Sequence, residues 1–158
     1  MEEISELAAA AGKIPSGLFI VTATDGTKNE GYLGSWIQQA SFSPLLLNIA
    51  IRPGRPCYDL IKSTGRFGIN VVGGKNGGMM KPFWSPTPGT DAFAGVEWTR
   101  SELGNVMLGN ALAFFDCEFR SSVTPGDHEI VFAEVVSGKI LQSEDKPLTH
   151  VRKSALGY

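Results

Sequence analysis

Three groups of residues in this chain have types and spacings that can do chemistry. The first is Gly34-Ser35-Trp36-Ile37-Gln38-Gln39-Ala40-Ser41-Phe42-Ser43-Pro44, small and polar between two apolar segments. A strand carrying Gly34, Ser35, Gln38, Gln39 and Ser41 spends positions on polar groups. Either it is an edge strand with a solvated face, or something polar lies against it. A flat heteroaromatic ligand fits the second case, because small residues let the backbone lie close and Ser and Gln both donate to and accept from ring heteroatoms. Trp36 stacks on such a ring or packs in the core, and composition alone favours the core.

The second group is Arg52 and Arg55, which flank Pro53-Gly54 just ahead of a predicted helix. Arginine presents a planar fork of donors matched to phosphate oxygens, and a helix N-terminus adds unpaired N–H groups. Two ordinary solvated charges are the alternative. The third group is Asp127-His128, at the tip of the best predicted hairpin. An imidazole there can donate to a cofactor or steer a proton, although a lone loop histidine is more often a solvated bystander.

Other chemistry is excluded by what the chain lacks. There is no GxxxxGK[ST] segment and no GxGxxG after a strand, so neither a nucleoside triphosphatase nor a Rossmann domain is supported. Cys57 and Cys117 are far apart, and His128 and His150 are the only histidines; this is too few soft ligands for a zinc or iron–sulfur site, and no metal is expected. Cys57 at a helix start has no base near it in sequence, which argues against a nucleophile. Asp116 and Glu118 alternate with Phe115 and Cys117 and read as the polar face of a strand.

The elements that must position these groups read as mainly β. A short helix is expected over Ile4 to Lys13 with Ser5 as cap, and Gly17 to Thr24 is a strand that turns at Asp25-Gly26. A second strand is expected to run from about Tyr32 into the polar stretch. Leu45 to Ile51 is so continuously apolar that burial on both faces is expected. Pro56 opens a helix through Lys62, Arg66 to Val72 is a strand, and Gly73 to Gly78 reads as a flexible loop. Met79 to Asp91 is irregular with one helical turn, and Ala113 to Ser121 pairs with Glu129 to Val136 in a long hairpin.

Length and composition bound the rest. The 158 residues suit a single domain spanning 1–158, 42% hydrophobic and 19% charged residues are ordinary for a globular protein, and nineteen glycines imply many turns or close backbone approaches. A net charge of −2 gives no field for nucleic acid. The acidic N-terminus and the lack of a long apolar run fit a cytoplasmic protein without a membrane span, and the sparse cysteines fit a reducing compartment.

In their order along the chain, Ile14 to Ala23, Ser35-Trp36 through Ser43-Pro44, Arg66 to Val71 and Gly126-Asp127-His128-Glu129 resemble the flavin reductase-like family, whose fold is the FMN-binding split barrel. The Gln38-Gln39-Ala40-Ser41-Phe42 segment, Asp91 to Glu97 and the ending His150 to Ser154 are similar to the C-terminal flavin reductase domain of cyanobacterial flavodiiron proteins. The resemblance implies a split β-barrel with short flanking α-helices and an FMN at a homodimer interface. It also implies reduction by NADH or NADPH, with electrons passed on to another flavin or redox partner, including a flavodiiron-type partner or domain.

Carried onto this sequence, the resemblance places Gly34, Ser35, Trp36, Gln38, Gln39, Ala40 and Ser41 along the isoalloxazine and ribityl chain, and Arg52, Gly54, Arg55 and Cys57 at the phosphate. His128 then lies beside the flavin or nicotinamide as the catalytic residue. Lys81 and Phe83 fall in the segment that covers the flavin, and Arg152 and Lys153 reach a phosphate from the tail. The family more often has Ser and Thr in the phosphate loop. The leading expectation is an NAD(P)H:flavin oxidoreductase; the alternatives are an FMN-binding electron relay fed by a protein donor, and an unliganded barrel with a structural role.

Overall fold

The computed structural model describes residues 4–84 and 89–155. The first residues of the acidic N-terminus and part of the segment expected to be irregular therefore lie outside the described residues. The chain opens with α1 (Glu6–Ala11), whose N-cap is Ser5: its hydroxyl accepts from the Ala8 N–H at 3.3 Å. A short β1 (Ser16–Gly17) precedes the hairpin of β2 (Phe19–Thr24) and β3 (Asn29–Gly34). Its turn uses Gly26 at φ +96°, and the Asp25 carboxylate accepts from the N–H groups of Thr27 and Lys28.

Then come β4 (Ile37–Ser41), β5 (Leu46–Ile51), α2 (Pro56–Thr64) and β6 (Arg66–Val71). Pro56 sits at the first helical turn of α2, and Gly65 closes the helix at φ +73° with its N–H on Ile61 O. A 3-10 stretch (Gly74–Met80) and α3 (Lys81–Trp84) lead to β7 (Trp98–Arg100) and β8 (Val106–Leu108). The long hairpin of β9 (Ala113–Val123) and β10 (Glu129–Ile140) follows, and β11 (Thr149–His150) returns to pair with β1.

The main sheet has seven strands in the order β3-β2-β6-β9-β10-β5-β4. Its two edges, β3 and β4, are consecutive in sequence and are not hydrogen-bonded to each other, yet Tyr32 of β3 and Ile37 of β4 enter the same core with Ile49, Tyr58, Phe67 and Val131. The sheet therefore curls into a barrel that stays split between its edges, and α2 contributes Cys57, Tyr58 and Ile61 to the interior. The mainly β split barrel with short helices is the fold expected from the sequence.

Four local expectations are corrected. The polar stretch does not continue the second strand, because the chain leaves β3 at Gly34, crosses the split at Ser35 and Trp36, and resumes as β4 against β5. β5 is not buried on both faces: Leu47, Ile49 and Ile51 point inward while Leu46, Asn48 and Ala50 stay half-buried. A second apolar cluster of Ile20, Val72, Phe83, Phe93, Val106 and Leu108 covers the other side of β2 instead. The glycine-rich 73–78 segment is a 3-10 turn whose Lys75 N–H donates to Asp145 at 3.1 Å. Asp116 is buried, accepting from Ser101 Oγ at 2.7 Å, Asn105 Nδ2 at 2.9 Å and Ser137 Oγ at 3.2 Å, so it is no solvated strand face.

Candidate functional site

The split in the barrel opens into a cleft of about 1090 Å³. Gly34 closes β3, Ser35 and Trp36 cross the split, Arg52 follows β5, and Arg55 is the N-cap of α2; all five line the cleft. His150 of β11 and the tail after it, with Val151, Arg152 and Lys153, also line the cleft. Backbone bonds hold this tail on α1: the Arg152 N–H donates to Gly12 O at 3.1 Å and the Ala155 N–H to Ala8 O at 3.0 Å. Gly12 is required there, since a Cβ on it would meet the Arg152 carbonyl oxygen at 2.6 Å.

At the mouth of the split three distant segments meet on one indole. The Trp36 and His128 ring centroids are 4.9 Å apart with planes inclined by 52°, and the Arg152 guanidinium lies 5.0 Å from the Trp36 ring. His128 Nδ1 is 2.8 Å from Asp127 Oδ1. That hydrogen bond is the largest of the effects holding the Asp127 carboxyl below the usual carboxylate range, and Arg52 adds to it through its charge.

Arg55 enters α2 with an extended backbone and no side-chain cap bond, and its guanidinium lies 4.8 Å from the centre of the Tyr32 ring. Gly54 before it has φ +88°, a conformation that strains any side chain. In the first turn of α2 Pro56 has no N–H and the Tyr58 N–H donates to Arg55 O at 2.9 Å, so the Cys57 N–H is the backbone donor that turn can offer a ligand. Cationic side chains, this donor and an aromatic wall can together hold an anion attached to a flat ring.

The other residues singled out in the sequence fall elsewhere. Gln38, Gln39 and Ala40 are exposed on the edge strand β4 and are not part of the cleft lining, with Ser41 half-buried at its end. The Cys57 thiol is buried 3.8 Å from both Val21 O and Glu30 O, and burial pushes it well above the ordinary thiol range, so the backbone is what Cys57 offers a ligand. Lys81 is exposed beside Met80 and Trp84, which do line the cleft, while Phe83 is buried. Tyr32, Leu33 and Trp84 line it too and were not singled out as site residues, because only the folding of distant segments brings them to the cleft, and so does His150, the first residue of the ending that carried the resemblance.

A second cleft of about 560 Å³ adjoins the first, and Tyr32, Arg55 and Trp84 line both. Among the described residues no group of three or more His, Cys, Asp or Glu is placed to hold a metal. Among them, too, no helix is long and apolar enough to cross a membrane.

Comparison with known proteins gives a consistent answer. Residues 11–156 match the family described as "Flavin reductase like domain". Diflavin flavoprotein A 1 of Synechocystis sp. is 36% identical over 151 residues, which are 94% of this chain and 26% of that protein. A diflavin flavoprotein A of Nostoc sp. is 37% identical over 156 residues, 98% of this chain and 27% of the relative. The chain thus spans about a quarter of the length of the curated relatives it matches. Among solved structures, nitrilotriacetate monooxygenase component B from Mycobacterium thermoresistibile superposes with a TM-score of 0.84 at 27% identity, covering 92% of this chain and 80% of that one.

Proposed function

Since the chain belongs to the flavin reductase-like domain family, we propose that it binds FMN in the larger cleft and reduces it with NADH or NADPH. The observation that carries this reading is the convergence of Ser35, Trp36, Arg52 and Arg55 on one cleft, with His128 against Trp36. The residues fit the group. Arg52, Arg55 and the first turn of α2 match a terminal phosphate, and the glycine at position 34 and Ser35 let a flat ring approach the backbone with a donor at hand. Bound flavin would supply the redox chemistry by accepting a hydride from the nicotinamide.

What the chain contributes is position and charge. Arg52 and Arg55 hold the phosphate, Trp36 forms the wall at the split, and the tail carrying Arg152 and Lys153 shields the cleft from water. His128, tied to Asp127, presents its imidazole at the edge of that wall and steers the nicotinamide. The edge strand β4, with Gln38, Gln39 and Ala40 exposed and Phe42 91% exposed beyond it, supports a second copy completing the flavin contacts in a homodimer. Two buried free thiols support a reducing, cytoplasmic setting.

The test is the absorption spectrum of the purified chain with FMN, before and after anaerobic NADH or NADPH. Bleaching of the oxidised flavin band by either nicotinamide is the expected result. The second reading is an FMN-binding electron relay fed by a protein donor, favoured by the much greater length of the curated relatives. Retained FMN that neither nicotinamide bleaches supports the relay, and failure to take up FMN removes both readings.

A further inference from the structure

Arg55 is held by a ring and not by a counter-ion. It is half-buried, and among the described residues no carboxylate pairs with it. Its guanidinium lies 4.8 Å from the centre of the Tyr32 ring. A carboxylate is close at hand all the same. Burial is the main cause that raises the Cys57 thiol, but Glu30 adds to it and Arg55 opposes it, so both charges act at the first turn of α2. Glu30 is nevertheless bound to Lys28, at 2.8 Å. A carboxylate would fix the guanidinium by occupying its N–H donors, whereas a ring face fixes it through the π-system and leaves the donor fork free for a phosphate.

Tyr32 is the fixed member of this contact. It is 6% exposed, lies opposite Val21 of β2 and enters the same core as Ile37, Ile49 and Tyr58. Gly34 is the next residue on that face of β3. A Cβ at Gly34 would meet Tyr32 Cε2 at 3.2 Å, so a side chain there would press on the ring. The glycine that lets a flat ligand approach the strand therefore also leaves room for the ring that carries Arg55. Tyr32 and Arg55 both line the larger cleft.

We propose that Tyr32 is the positioning residue for the flavin phosphate, holding the Arg55 guanidinium in place with its donors free; this rests on the flavin reading of the larger cleft. An arginine loose in solvent gives up its rotamer freedom when it closes on a phosphate. One already laid on a buried ring has given up much of that freedom on folding, so the phosphate contact costs less to form.

The experiment titrates FMN, and riboflavin as the control without a phosphate, into the full chain and its variants. Tyr32→Leu is expected to weaken FMN by about five-fold and riboflavin little. Tyr32→Phe keeps the ring and should bind FMN as the wild type does, and Tyr32→Leu should add nothing once Arg55→Ala has been made. Equal losses for both flavins, additive losses in the double variant, no loss at all, or a loss in Tyr32→Phe as large as in Tyr32→Leu each overturn the proposal and leave the flavin reading standing. Tyr32 belongs to the core, so the wild-type chain carries the test if Tyr32→Leu misfolds. Its Arg55 side-chain protons, assigned in NMR spectra by their loss in Arg55→Ala, should be shifted upfield by the ring current of Tyr32 and stay so when FMN binds. Ordinary shifts in the free chain, or a return to them on adding FMN, would show that the ring does not hold Arg55 for the phosphate. A wild-type chain that binds neither flavin overturns both this assignment and the flavin reading.

Discussion

The imidazole of His128 stands 4.9 Å from the indole of Trp36, which joins the tip of the longest hairpin to the crossing at the split of the barrel. Arg152 from the tail lies 5.0 Å from the same indole. Trp36 is thus neither core filler nor free surface: at 37% exposure it is the post on which two mobile types of element, a loop tip and a tail, are fixed.

Trp36→Leu removes that post. The aromatic contact is worth about 0.5–1.5 kcal/mol beyond burial, so the loss of global stability in denaturant titration is small. The larger effect is expected on the cleft, as weaker FMN binding and slower reduction by nicotinamide. Unchanged values of both reduce Trp36 to packing.

His128→Ala is expected to slow reduction by nicotinamide more than it weakens flavin retention, measured by stopped-flow bleaching against FMN titration. Asp127→Asn separates orientation from charge. The Asp127 carboxyl is held below its ordinary value of 3.8, chiefly by the hydrogen bond with His128. A lowered carboxyl contributes its stabilisation above that ordinary value and loses it only as pH falls through the lowered one. The carboxylate is therefore ionised throughout an assay range from pH 5 upward, so Asp127→Asn should alter the rate across all of it. A rate indifferent to Asp127→Asn shows that the pair does not orient the ring.

What the sequence made legible was local. Ser5 as a cap, Pro56 at a helix start, the turn at Asp25-Gly26 and the strand that opens at Glu129 are each decided within a few residues, and each was found where expected. The break at Ser35-Trp36 was not, because β4 is placed by pairing Ile37 with Ile49, a contact between segments. Asp116 was misread for the same reason: its donors, Ser101, Asn105 and Ser137, come from other parts of the chain. Within the site the arginine loop stood out by residue type, and the tail entered through the resemblance of the His150 to Ser154 ending, which pointed Arg152 and Lys153 at a phosphate. What no residue type showed is how the tail is held, by backbone bonds to α1.

Arg55→Ala should weaken FMN by about 1.5–3 kcal/mol if it makes a charge-assisted phosphate contact. Riboflavin, which lacks the phosphate, is the control and should lose little. Equal losses for both flavins would assign Arg55 to its contact with Tyr32 rather than to a phosphate.

The two thiols give a prediction about alkali. Cys57 and Cys117 are free and buried, and desolvation is the main cause that pushes both above the ordinary value of 9.0. A group whose value is raised on folding keeps its full contribution below the unfolded value and loses it as pH rises through the folded one. Above pH 9 the unfolded chain ionises thiols that the folded chain keeps protonated, so stability should fall with a limiting slope of about 1.4 kcal/mol per pH unit for each. Denaturant titrations at pH 8 and pH 10 measure the loss, and Cys57→Ala with Cys117→Ala should flatten it by the share of the two thiols. In the same protein at pH 8 neither thiol should react with an alkylating reagent until denaturant is added. An equally steep alkaline loss in the double variant would place the sensitivity on other groups, and rapid native-state alkylation of the wild type would contradict the burial of the thiols itself.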